Sequence, residues 1–312
     1  MARFTGSITR PEIRDALLRS GYLLESRVAD VLREDYFFVE GNPVYPDPDT
    51  GKSREFDVSA MFAEPAGPVE LDHLFGVLLI ECVNNPQPLA LLTVEPDLPH
   101  LHHYDIKMSG LPVKVIDKED EEASWLLLAD FLNLDKYHHY CNGRVATQYC
   151  SFQKKSGQKD WMAFHDETHF DALKKLCDVV EHEIEDHFCN WVFEEGTEER
   201  VNVQMYYPLL VLQGDLLDVQ VRPRSMHIRK AQHLQYRRSL IRNGEQTTYQ
   251  IDVITERFLK KYVEICRGEV EKAAKYMRRK GRVERIRESI DEIVKKAQKS
   301  KSRSELRKAM EF

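Results

Sequence analysis

Two short apolar runs, each carrying an acid, constrain this chain more than any other feature. The first is Arg54-Glu55-Phe56-Asp57-Val58-Ser59-Ala60-Met61-Phe62. The second is Phe75-Gly76-Val77-Leu78-Leu79-Ile80-Glu81-Cys82-Val83-Asn84-Asn85. Both are rich in Val, Leu, Ile and Phe and are bounded by turn residues, the pattern of strands. Side chains alternate along a strand, so Glu81 and Val83 share one face of their run, as Glu55, Asp57 and Ser59 do of theirs. A carboxylate desolvated in such a run needs a partner charge or a metal. Two of them on adjacent strands predict a shared cation.

The flanking segments complete an α/β (α+β) pattern. Residues 10–34 have helical spacing in Ile13, Leu17, Leu18, Leu24, Val28, Val31 and Leu32, with Pro11 suited to a first turn and Ser20-Gly21 a breaking point. Tyr36 to Glu40 predicts a first strand, and Asn42 to Lys52, with Pro43, Pro46 and Gly51, a hairpin loop. Pro86 to Leu101 is read as loop and short helix, and Glu119 to Leu134 as helix. A hairpin is expected over 146–154 and 161–164, and a helix over 168–188 on the stripe Leu173, Leu176, Val179, Val180, Ile184. Strands are expected at 206–213, 216–221 and 248–254, then a helix to Cys266 and a charged C-terminal helix interrupted at Gly281.

Asp57 and Glu81, on successive strands, resemble the paired acids of the PD-(D/E)XK, or restriction-endonuclease-like, superfamily. Glu25 on the preceding helix matches the glutamate that such families carry there. The resemblance covers roughly residues 10–95. It departs at one position: Val83 stands where the family has lysine. Members of the superfamily also take that lysine from elsewhere, or replace it, and Lys52 or Asn84 is the candidate stand-in. The resemblance implies a restriction-endonuclease-like core, with a mixed central sheet flanked by helices and a C-terminal extension. On that reading residues 1–100 form the nuclease-like core, 101–266 complete or elaborate the sheet, and 267–312 form a basic helical tail. It further implies Mg²⁺ (or Mn²⁺) held by Glu25, Asp57 and Glu81, hydrolysis of DNA and, by analogy, a homodimer. The rival reading is a degenerate nuclease fold that only binds nucleic acid or protein, which Val83 favours. A third is a partner-binding protein without nucleic acid.

Composition is that of an ordinary soluble protein, 42% hydrophobic and 31% charged. No apolar run approaches the length of a membrane span, and the start Met1-Ala2-Arg3-Phe4-Thr5-Gly6-Ser7 has no apolar signal core. Six cysteines contain no Cys-x-x-Cys pair. A cytoplasmic protein with free thiols is expected. The net charge of −7 is uneven. From Arg267 to Phe312 there are 16 Lys or Arg against 8 Asp or Glu, a net of +8, so the rest carries −15. Such a tail either pairs with the acidic body or follows a phosphate backbone.

Other motifs carry less. His165-Asp166-Glu167-Thr168-His169 has the i, i+4 histidine spacing of a zinc protease, but Asp166 occupies the base position and Thr168 is expected to cap a helix there. The pairs His102-His103 and His138-His139 read as surface residues. Asp252, a strand aspartate without a neighbouring acid, reads as structural. Neither Gly-x-x-x-x-Gly-Lys nor Gly-x-Gly-x-x-Gly occurs, so nucleotide-dependent chemistry has no support.

Overall fold

Thr9 opens the first helix. Its N–H donates to Glu12 Oε2 at 2.8 Å and its hydroxyl accepts the Glu12 N–H at 3.4 Å, a reciprocal capping pair. Ser20 ends that helix in an extended conformation (φ −89°, ψ 162°), so the 10–34 pattern divides into α1 (Arg10–Arg19) and α2 (Tyr22–Glu34). The computed structural model describes residues 8–20, 22–110, 114–117, 124–154, 160–193, 201–242 and 244–297. After α2 come β1 (Phe38–Gly41), β2 (Val44–Pro46), β3 (Ser53–Glu55), β4 (Val58–Pro65), β5 (His73–Val83) and β6 (Leu89–Val94). Next are β7 (Lys107–Ser109), β8 (Lys114–Asp117), β9 (Ser124–Leu127), α3 (Leu128–Phe131), β10 (Val145–Lys154), β11 (Trp161–Phe164) and α4 (Glu167–Phe193). The chain continues through β12 (Asn202–Leu212), β13 (Leu216–Arg222), β14 (Ser225–Ala231), β15 (His233–Arg242), β16 (Glu245–Thr255), α5 (Leu259–Met277) and α6 (Arg282–Ala297).

The fold is mixed α/β. Ten strands follow the order β1-β4-β5-β12-β16-β15-β10-β6-β13-β14, with β7 added to β12 and β11 to β10. β1, β4 and β5 form an antiparallel meander. β5, β12 and β16 then run parallel to one another. A parallel neighbour requires a long crossover, and α4 lies on the way from β5 to β12. From Gly76 onward β5 is buried throughout, as is β12 from Met205, as expected of strands covered on both faces. Leu78, Ile80, Leu209 and Val211 join α2, α5 and α6 in one core cluster. Val77, Leu79, Leu210 and Leu212 join α4 in the other. Period-two alternation therefore sends successive residues of one strand into two different cores.

Several expectations change. The run 54–62 is not one strand: β3 ends at Glu55 and β4 begins at Val58, leaving Phe56 and Asp57 at a bend. Within 86–101, Leu89–Val94 forms β6, because an apolar segment is paired there on both sides, with β10 and β13. Its flanking prolines disguised it as loop. The 119–134 helix is replaced, over its described part, by β9 and the four-residue α3; residues 118–123 lie outside the described residues. Helix α4 is capped by Asp166, whose Oδ1 accepts the N–H of Thr168 at 2.9 Å and of His169 at 3.3 Å, so Thr168 lies inside the first turn. The strands β14 and β15 were not anticipated. No described helix is long and apolar enough to cross a membrane.

The C-terminal segment, through α6, packs as core rather than extending as a free arm. Val270, Ala273, Ala274, Met277, Ile286 and Ile290 are fully buried, and Gly281 (φ 78°) makes the left-handed turn between α5 and α6. Residues 298–312 lie outside the described residues. Truncation after Arg267 should therefore abolish cooperative unfolding. Met277→Ala should cost about 3 kcal/mol by urea denaturation, the range for a buried large-to-small change.

Candidate active site

The bend before β4 is fixed by the backbone. Phe56 N–H donates to the Pro43 carbonyl at 3.1 Å, and Asn42 N–H donates to the Asp57 carbonyl at 2.9 Å. Asn42 accommodates this in a left-handed conformation (φ 51°), which asparagine tolerates better than most residues. Because Val58 pairs with Ile80, Asp57 falls beside the next residues of β5. Its Oδ2 accepts the Cys82 N–H at 2.7 Å. Glu81, between Ile80 and Cys82 on β5, is only 4% exposed.

Asp57 acts on Glu81. Burial, then the charge of Asp57, pushes the Glu81 carboxyl up to about 8, even with an ammonium pulling the other way. Burial also raises Asp57, against the lowering effect of the Cys82 N–H. Glu25, half-buried on α2 between the core residues Leu24 and Val28, is raised by burial and by Asp57. The charge of Asp57 thus reaches both of the other acids singled out in sequence.

The ammonium is Lys175 of α4. Its Nζ lies 2.8 Å from Glu81 Oε1, and its charge opposes the upward shift of all three carboxyls. Ala172 and Val179, three residues before and four after, are buried, which turns Lys175 toward the sheet. Sequence reasoning missed this residue. Its signal was a lysine on the apolar side of a helix.

The proposed stand-ins sit differently. Lys52 is exposed at the end of the β2–β3 turn, and its ammonium makes no ion pair among the described residues. Asn84 is half-buried and donates to the Leu18 carbonyl of α1 at 3.5 Å. Asn85 braces the turn after β12, accepting the Gly214 N–H at 2.8 Å and donating to the Asp215 carbonyl at 3.3 Å. A Cβ at 214 would lie 2.3 Å from the Asn85 carbonyl, so this approach requires glycine. Val83 is buried in the apolar cluster under α4, where a lysine would be desolvated. Tyr45 of β2, also buried, has its hydroxyl raised by burial and by the charges of Asp178 and Glu81, a neighbour that nothing in sequence suggested.

The histidine pairs are not surface residues. His102 and His103 are 7% and 4% exposed and His138 is fully buried. The rings of His138 and His139 stack rather than diverge, 4.8 Å apart at 17°. Asp252 is fully buried among histidine and tyrosine side chains.

Below about pH 8 the Glu81 carboxyl holds its proton, and only its ionisation would set all three carboxylates against the one ammonium. The three acids offer only oxygen donors, the kind a hard divalent cation takes, but the groups of described residues whose donor atoms lie within 4.8 Å of one another are His138, His139 and Glu269, and His139, His233 and Asp252, not these three. No family model, curated protein or solved structure matches this chain.

Lys175→Met keeps the aliphatic stem and removes the charge. It should destabilise the protein by roughly 1–3 kcal/mol, the cost of leaving a buried charged group without its partner. The loss should shrink in a Glu81→Gln background, and a double-mutant cycle by urea denaturation measures that coupling.

Proposed function

We propose that this protein is a metal-dependent phosphodiesterase acting on DNA. Glu25, Asp57 and Glu81 would be its cation ligands, and Lys175 would fill the role of the lysine missing at position 83. The observation that carries this reading is the 2.8 Å contact between Lys175 Nζ and Glu81 Oε1. It supplies from α4 what the strand motif lacks. The helix, hairpin and strand that carry the acids, α2, β1–β4 and β5, follow the order implied by the resemblance to restriction-endonuclease-like proteins.

A divalent ion bound by the three carboxylates would polarise a phosphodiester and lower the pKa of its water. The chain's own residues do the rest. The Cys82 N–H holds Asp57 in one orientation. Burial of Leu173, Leu176 and Val180 makes α4 a rigid mount for Lys175, which limits the positions the ammonium can take. There it opposes negative charge that builds on phosphoryl oxygens as the bond breaks, and preorganised charge of this kind costs no rearrangement during reaction.

The binding-module reading drew its force from Val83, and Lys175 removes most of that force. A retained cluster of buried like charges also costs stability, which a purely structural scaffold has no reason to keep.

Plasmid and single-stranded DNA incubated with the protein in Mg²⁺ and in Mn²⁺ should be cut. Lys175→Ala should slow cutting by about two to three orders of magnitude, the usual effect of losing one preorganised charge-stabilising group. Asp57→Ala should abolish both cutting and calorimetric Mn²⁺ binding. A wild type that binds DNA and Mn²⁺ without cutting would favour the binding module; one that binds neither would remove both readings.

A further inference from the structure

A second convergence of ligating side chains lies on the other face of the sheet. The short 3₁₀ turn His139–Cys141 is bolted to three elements. Tyr140 Oη donates to the Gln250 carbonyl of β16 at 3.0 Å. Gln235 of β15 donates to the His139 carbonyl at 2.7 Å. His139 N–H donates to Glu269 Oε1 of α5 at 2.6 Å. The His139 ring is thereby wedged between two acids. Its Nδ1 lies 2.9 Å from Glu269 Oε1, and its Nε2 lies 2.9 Å from Asp252 Oδ2. His233 Nε2 meets the other oxygen, Asp252 Oδ1, at 2.6 Å, with its ring stacked on Phe258 at 5.5 Å.

We propose that His139, His233 and Asp252 bind a transition-metal dication, Zn²⁺ by its donor set, at a site separate from the carboxylate cluster. One donor atom from each lies within 4.8 Å of the others, and the two imidazole nitrogens stand 2.9 and 2.6 Å from the Asp252 oxygens; a cation about 2.0–2.2 Å from each donor would take the place of those two hydrogen bonds. Two imidazoles and one carboxylate select Zn²⁺ over Mg²⁺, because imidazole is a poor ligand for hard cations. The surroundings match what a metal-binding imidazole needs. Its second nitrogen is held by a carboxylate, here Glu269 on His139 Nδ1, which aims the first. Asp252 is oriented in turn by Tyr262 Oη, which donates to Oδ2 at 2.6 Å.

Access and position fit as well. Asp252 is fully buried, but His139 and His233 are 12% and 18% exposed, so the histidine side opens toward solvent. Asp252 is in register with Leu209, and Leu209 with Ile80, both in the core cluster under α5. Glu81 belongs to the alternate register that faces α4. The two sites therefore bind independently, and the failure of one leaves the other intact. The Zn²⁺ would tie the 138–141 turn to β15 and β16.

The full-length protein, stripped with chelator, is titrated with Zn²⁺ by calorimetry and with Co²⁺ by visible absorption. One equivalent should bind, raising the thermal midpoint and giving the intense d–d bands of a four- or five-coordinate site. Asp57→Ala should bind Zn²⁺ as wild type does. His233→Gln, at the partly exposed edge, should weaken binding at least tenfold, and Tyr262→Phe, which removes only the hydroxyl, by about 10- to 100-fold. Circular dichroism checks that both variants fold. Zn²⁺ affinity equal in wild type and His233→Gln would overturn the proposal and leave a hydrogen-bonded network. Sulfur-to-cobalt charge transfer would overturn it too, by pointing to a cysteine site.

Discussion

The parallel pairing of β5 with β12 governs most of what this molecule can do. It runs the length of both strands, from His73 with Asn202 to Val83 with Leu212. Parallel strands cannot be joined by a tight turn, so the chain must leave the sheet, cross one face and return. The described part of that crossing includes α4, which covers the face toward which Glu81 and Val83 point. A lysine on the buried side of α4 is then delivered to Glu81 without any help from local sequence.

Buried carboxylates are the recurring physical problem, and the fold answers it in two ways. At the end of β5, burial raises both carboxyls and the charge of Asp57 raises Glu81 further; one ammonium and one backbone N–H offset part of the cost. On the opposite face, Asp252 and Glu269 are held by imidazoles and a tyrosine hydroxyl. Each arrangement draws partners from elements distant in sequence. That is expected where desolvation is severe, since a charge removed from water needs several well-aimed groups and one strand cannot supply them.

The same logic explains the C-terminal helices. Counted by charge, the segment from Arg267 onward is basic and polar. Counted by period, Val270, Ala273, Ala274 and Met277 form an apolar stripe. Packing follows the stripe, because apolar area removed from water outweighs charges that remain solvated on the far side.

By itself, the sequence determined the local elements with strong periodicity: α2, β4, β5, α4, β12 and the break between α1 and α2. It also singled out Asp57 and Glu81, because an acid inside an apolar run is anomalous wherever the run folds. Lys175 and Glu269 left the same kind of trace, a charge on a helix's apolar stripe, but a stripe does not say what it will face. Strands β6, β14 and β15 and the buried histidines were decided only by tertiary structure. A short strand such as β6 takes its stability from neighbours on both sides rather than from its own residues. Two adjacent histidines diverge or stack according to the groups that surround them. Which lysine meets which glutamate is a property of the crossover, and that comes into being only when β12 lies down beside β5.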